Sequence, residues 1–421
     1  MIITFSDIFR FFILFTTVGS ILVFTSLGDL PRIFWWPLDA SLLILAIVLK
    51  PYFYDNRTDN TPLLFVKLFL MWNIVTIVRG FFIAENYWEW KNLIDSALIL
   101  LLPLFVFVFI NEHFTKRVLS TWFKYMLILV FLFIPFIVES DFLGRYLQPV
   151  MLLLLVFPIL PFNWKIITAL MTLLVITGGF DARSNIIRFS ISTLFGMFYY
   201  FKFLYIDKFF KFLHFLMILL PILLLLLALT NTFNIFKMDE YIKGDYTTSS
   251  KAGESESLTA DTRTLIYVET IVSSLDNDYV IEGRTPARGY DSDLFGDFLQ
   301  FELGTGKRER FTSEVSILNI YSWGGLIGVF LYFFIFFYSS YLAIYRSNNY
   351  FIKVIGLFVA FRWAYAFIED FTKFDIQYVL LWILISMCLS NNFRKMNDDQ
   401  FKLWIQDLLQ DSNLIKNKVA K

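Results

Sequence analysis

The chain of 421 residues is 57% hydrophobic and only 17% charged, more apolar surface than a soluble fold can hide. Its 36 basic residues balance its 36 acidic ones and form no basic block, which excludes a nucleic-acid partner. One cysteine, Cys388, excludes an internal disulfide or a thiolate cluster, and the two histidines, His113 and His214, lie too far apart in sequence to suggest zinc.

Apolar runs of about 20 residues, the length that crosses a bilayer as a helix, recur along the chain. Twelve are expected: 8–27, 33–49, 63–83, 93–110, 119–138, 146–160, 164–180, 186–205, 213–235, 315–338, 352–368 and 374–390. The strict alternation of a membrane β-barrel is absent. The first run is long enough to span and has no small-residue cleavage site, so it reads as a retained helix. Cys388 falls in the last run and reads as a packing residue.

The fold class is thus an all-α polytopic membrane protein in four parts. Residues 1–236 hold nine helices, 237–314 form one large hydrophilic insert, 315–390 hold three more helices, and 391–421 are an amphipathic tail. Lysine and arginine in the short loops divide about ten to five in favour of the N-terminal side. By the positive-inside rule both termini are cytoplasmic and the insert is extracytoplasmic.

Within the insert, KGDYTTSSKAGESES is polar and turn-rich and reads as a loose stretch. ADTRTLIYVETIVSSL reads as a helix with Asp261 as N-cap and Arg263 in its first turn. VIEGRTPARGYDS is a Gly/Pro loop carrying Arg284, Arg288 and Tyr290, and DLFGDFLQF is a second amphipathic piece suited to lie on a bilayer. In the tail, Phe401, Trp404, Ile405, Leu408 and Leu409 make an apolar helical stripe expected on the inner membrane surface.

Arginine keeps its charge at any relevant pH and pairs bidentately with phosphate oxygens, so extracytoplasmic arginines are the informative residues. Arg183 and Arg188 flank the outer end of the eighth span, with Arg183 in the loop and Arg188 one turn inside. Arg145, Arg79 and Asp95 also stand near outer ends. Arg362 falls within the eleventh span, where an arginine is costly and suggests function; pairing with Glu369 is its structural alternative. For Arg183 and Arg188 that alternative is snorkelling to headgroups. For Arg284 and Arg288 it is holding an acidic loop together, and for Glu314 it is capping the tenth span.

The order of motifs is a glycine-rich span end with ARSN, a large insert, TRTLIYVETI, EGRTPARGY, and SEVSILNIYSWGGLIGVFLYF with Gly324, Gly325 and Gly328. It resembles the O-antigen polymerase and ligase family of bacterial membrane glycosyltransferases. The ligase branch carries a histidine before that last span. Here the slot reads Thr312-Ser313-Glu314, which favours the polymerase branch.

The resemblance implies a GT-C-like fold in the bacterial inner membrane and a donor saccharide on undecaprenyl diphosphate. It also implies membrane lipids as surroundings, and a chain-length regulator and a flippase as partners. No cofactor and no metal are expected. Arg183 and Arg263 would clamp the diphosphate with Arg188 or Arg288 assisting. Arg145, Arg284, Tyr290 and Arg362 are the remaining substrate-binding candidates. Glu314 would be the base, with Asp291 or Asp293 as substitutes. Two other readings are a ligase that transfers glycan to lipid A core, and a flippase for the lipid-linked saccharide.

Overall fold

A computed structural model describes residues 2–28, 30–54, 61–139, 141–178, 182–201, 207–230, 232–237, 247–249, 255–257, 263–302 and 304–411. The chain is mostly helical. From the N-terminus come α1 (Ile2–Gly19), α2 (Trp36–Phe53), α3 (Leu64–Ile83), α4 (Tyr87–Leu100), α5 (Val106–Phe109) and α6 (Glu112–Phe133). Then follow α7 (Asp141–Tyr146), α8 (Val150–Leu155), α9 (Phe162–Gly178), α10 (Arg183–Met197) and α11 (Asp207–Leu229). The insert holds α12 (Thr264–Asp276). After it come α13 (Ser316–Arg346), α14 (Tyr350–Tyr365), α15 (Ile376–Leu389), α16 (Asn391–Lys395) and α17 (Asp398–Asp411).

Among the described residues, seven segments are long and apolar enough to cross a membrane by length and composition, while α9 and α15 are apolar but shorter. Large apolar side chains stand exposed on the outer helices, among them Phe82 on α3 and Leu132 on α6, as lipid contact requires and water does not favour. At the centre lies α15, buried along its whole length, packed with α13 and α14. Burial on all sides explains why its sequence is apolar all round.

Three expectations change. The run 146–160 is not one helix: Pro149 and Pro158 divide it into α7, α8 and a 3-10 turn at Phe157–Ile159. DLFGDFLQF is helical only over its second half, ending in the π-helical turn Phe298–Glu302, with Leu294, Phe298 and Phe301 exposed. The tail stripe is not free to lie on a membrane surface. Phe401, Trp404, Ile405, Leu408 and Leu409 are all buried, with α17 packed on α6 and α14. Trp404 Nε1 donates to the Glu112 carbonyl at 3.1 Å. Burial against protein removes the same apolar area from water that a bilayer would, so the stripe alone could not distinguish the two.

In the insert, Asp261 lies outside the described residues, as does most of KGDYTTSSKAGESES. The described parts of that stretch, β1 (Thr247–Ser249) and β2 (Ser255–Ser257), pair antiparallel. A second pair joins β3 (Tyr290–Asp291) to β4 (Glu309–Arg310).

The two glycine signals of the sequence meet each other. Helix α13 breaks at Gly325, whose φ of 64° is left-handed. Into that break the 280–285 loop lays its backbone. Arg284 N donates to Ser322 O at 2.8 Å, and Leu326 N donates to Val280 O at 2.9 Å. Gly283 also has positive φ, and a Cβ there would sit 2.5 Å from Gly325 N. Both positions need glycine for conformation and for approach.

Candidate active site

The site forms around the ten residues that join α14 to α15. The first turn of α13 has backbone donors with no partner inside the helix, and this loop supplies carbonyl acceptors for them. Ile317 N bonds Ala366 O at 3.0 Å and Ser316 N bonds Glu369 O at 3.3 Å. Asp370 is buried and accepts from Asn319 Nδ2 at 3.1 Å and Thr372 N at 2.9 Å. Asp375 caps α15 through Tyr378 N at 2.8 Å. The backbone under Glu369 is therefore tied down at both ends.

Three arginines from distant parts of the chain act on the Glu369 carboxyl. Arg263, the residue preceding α12, places Nη2 at 3.6 Å from Glu369 Oε2 and donates from Nε to Ile368 O at 3.3 Å. Its Nη1 bonds Glu314, whose other oxygen takes Arg310 Nη2 at 3.0 Å. Arg188 is 1% exposed within α10 and is held by Ser184, Asn185 and Gln377. Arg145 lies in the last turn of α7, with Nη2 at 3.1 Å from Asp141 and its guanidinium over the Phe24 ring. Burial lifts the Glu369 pKa above the ordinary glutamate range, while Arg263, Arg188 and Arg145 pull it down less strongly.

Beside this charge cluster runs an apolar cleft of about 570 Å³, walled by Leu220 and Leu224 of α11, Tyr267 and Val268 of α12, and Tyr365 and Ile368. Ile368 adjoins Glu369, and Thr264 in the same wall adjoins Arg263. Tyr267 fixes the wall by donating to Phe367 O at 2.7 Å.

The other candidates have no contact with Glu369 shown among the described residues. Arg183 starts α10 exposed, on the turn before buried Arg188. Arg284 and Arg288 are engaged in a separate network. Arg284 Nη1 meets Asp291 at 2.9 Å, Arg288 Nε meets Glu309 at 2.8 Å, and Lys307 meets Glu89 at 2.6 Å. They hold the loop together, the structural alternative noted above. Desolvation opposes ionisation of Asp291, but its bonds from Arg284, Asn277 and Ser273 prevail and hold its pKa below the usual range. Tyr290 is buried against Arg310, and burial pushes its phenol up to about 12. Asp293 lies exposed, its N–H bonded to Glu269 at 2.8 Å.

Arg362 does not pair with Glu369, whose described ion-pair partner is Arg263. It turns into the bundle, 2% exposed, with its guanidinium 4.1 Å from the Phe371 ring centroid. It lies near enough to Arg188 to repel it, and its Nε and Nη2 have no hydrogen-bond partner among the described residues. Arg362 is thus a buried guanidinium with unmatched donors and a second buried guanidinium within electrostatic reach.

Sequence reasoning found the arginines but not Glu369 as their common focus. The acidic IEDFTKFD loop was the available signal, and its position against α13 could not be read from spacing. Comparison with family models, curated proteins and solved structures finds no match for this chain. Fold and site together define a class: a mostly helical chain with membrane-length apolar helices and a partly buried arginine cluster near an apolar cleft.

Proposed function

We propose that this chain is a metal-independent membrane glycosyltransferase that joins polyprenyl-diphosphate-linked saccharide repeats into polymer. The observation that carries the reading is the Arg263–Glu369 pair, with the charges of Arg188 and Arg145 reaching the same carboxyl and a greasy cleft alongside. A polyprenol tail needs such a cleft and its diphosphate needs fixed positive charge at the cleft's end.

In the reaction, an acceptor hydroxyl oxygen forms a bond to the donor's anomeric carbon as the bond from that carbon to the diphosphate oxygen breaks. The leaving electron pair collects on the diphosphate, where Arg263, Arg188 and Arg145 stabilise it in a partly desolvated setting. The hydroxyl proton passes to Glu369. Glu314, half-exposed and shared between Arg263 and Arg310, holds Arg263 in place. Arg183 contacts phosphate at the surface before the substrate seats. The proposed setting is the bacterial inner membrane, with twelve membrane segments, cytoplasmic termini and the insert outside.

The test is incubation of the purified protein with a lipid-diphosphate-linked repeat in the presence of a chelator. A ladder of lengths is expected. Transfer to lipid A core alone, or movement of the lipid across vesicles with no new glycosidic bond, would replace this reading by a ligase or a flippase.

A further inference from the structure

Another cavity, of about 360 Å³, is walled by the later residues of the α14–α15 loop, as the apolar cleft is by the earlier ones. One short stretch of chain therefore serves three places in succession. Phe367 and Ile368 wall the cleft, Glu369 sits among the arginines, and Asp370, Thr372, Lys373 and Asp375 wall this cavity. Arg145 joins the two sides, since it lines the cavity and acts on Glu369.

The lining differs from that of the cleft. It carries three basic groups, Arg32, Arg145 and Lys373, and three acidic ones, Asp95, Asp370 and Asp375. Most are already engaged: Arg32 Nε bonds Asp95 at 3.0 Å, Arg145 bonds Asp141, and Asp375 caps α15. A balanced set gives neither a cation nor an anion a Coulombic reason to enter.

What remains is hydrogen-bonding capacity. Asp95 uses Oδ1 for both Arg32 and Trp36, and Asn92 donates from Nδ2 to Trp88 O at 2.7 Å. Asp95 Oδ2 and Asn92 Oδ1 have no bonded partner shown among the described residues. Thr312 lines the same space, as do the aromatic residues Phe24, Trp35 and Phe374. Dispersed donors and acceptors between aromatic faces suit a polyhydroxylated ring, whose edge is polar and whose faces carry C–H groups. The volume lies within the range of about 300–1,000 Å³ typical of small-ligand sites.

We infer that this cavity is a saccharide site, which seats the non-reducing end of the incoming acceptor with a hydroxyl turned toward Glu369 across Arg145. The inference rests on the transferase reading and adds where the second substrate binds. The lipid-bearing donor occupies the cleft and the sugar-bearing acceptor the cavity, so the bond forms at the loop between them.

The experiment uses the full-length protein in nanodiscs and, as probe, the oligosaccharide repeat released from its lipid diphosphate by mild acid. Calorimetric titration reads binding, and elongation of the lipid-linked repeat reads turnover. Thr312→Val and Asn92→Leu should each weaken saccharide binding about fivefold, the loss of one neutral hydrogen bond. They should raise the acceptor KM by a similar factor with kcat little changed. Lys373→Met, at a half-exposed side chain that puts folding at no risk, should weaken binding in the same direction.

Arg263→Ala should abolish elongation and leave saccharide binding intact. Unaltered binding and acceptor KM in all three cavity variants, in a protein that elongates, would overturn the saccharide site alone. A protein that binds saccharide in this cavity but forms no glycosidic bond would retain the site and overturn the transferase. No saccharide binding by the unaltered protein would overturn the site outright.

Discussion

Glu369 and Arg263 meet across more than a hundred residues of sequence, and their geometry divides the chemistry. A guanidinium that bonds Glu314, Glu369 and the Ile368 carbonyl is held by three separate groups, so its direction is set before any substrate arrives. Lysine cannot make that fork. Arg263→Lys should therefore lose roughly 10²-fold or more in kcat, as removal of a positioned oxyanion donor does, with normal insertion and expression. Glu369 gives a pH signature. Below its pKa it is protonated and cannot accept the hydroxyl proton, so the rate falls as pH falls. Because burial lifts that pKa, the acid limb of kcat/KM should lie above the ordinary glutamate value of about 4.3. Glu369→Gln should remove the limb and most of the rate, about 10²-fold or more. An acid limb that persists unchanged in the glutamine variant would exclude Glu369 as the base.

Among the elements, the docking of the 280–285 loop into the α13 break matters most, because it fixes the insert to the membrane-length helices. A Cβ on Gly325 would lie 2.2 Å from the Ile281 carbonyl oxygen, an approach that real structures avoid, at a φ that side chains disfavour. Gly325→Ala should release the loop, seen as faster protease cleavage within 277–290, and should reduce turnover through Arg263. Arg288 supports the same insert. Its partner Glu309 is 5% exposed and its neighbour Glu89 fully buried. Arg288→Ala leaves those carboxylates short of positive charge at a cost of roughly 3 kcal/mol. A clear drop in thermal midpoint is expected, with residual activity in the protein that remains folded, which separates it from Arg263→Lys. The sequence showed both glycine clusters and their spacing. That each is the other's binding surface depends on backbone approach, which composition does not encode.

At the scale of the whole molecule, α17 closes one end of the bundle. If Trp404 lay on a bilayer, brominated lipid would quench it. Buried at 6% exposure against α6 and Phe393, it should contribute no quenchable emission, so Trp404→Phe should leave the quenched fraction unchanged. Trp404→Ala should cost about 3–5 kcal/mol by leaving a cavity. Apolar runs of bilayer length made the helical class readable from sequence alone, because hydropathy and length are local properties of the chain. Arg145, Arg188, Arg263 and Arg362 were likewise conspicuous, since fixed charge is costly beside so much apolar surface. Only the folded chain decided which of them gather. Arg188 and Arg263 belong to α10 and the start of α12, and nothing in their spacing directs both toward a loop after α14. That loop is placed by the unsatisfied first-turn donors of α13 and by Asp370 beneath them. Arg284 and Arg288 carry the same charge and lie in the same insert, yet tertiary packing gives them carboxylates of their own. A guanidinium's charge is written in the sequence, but its partner is chosen by which backbone segments can pack together.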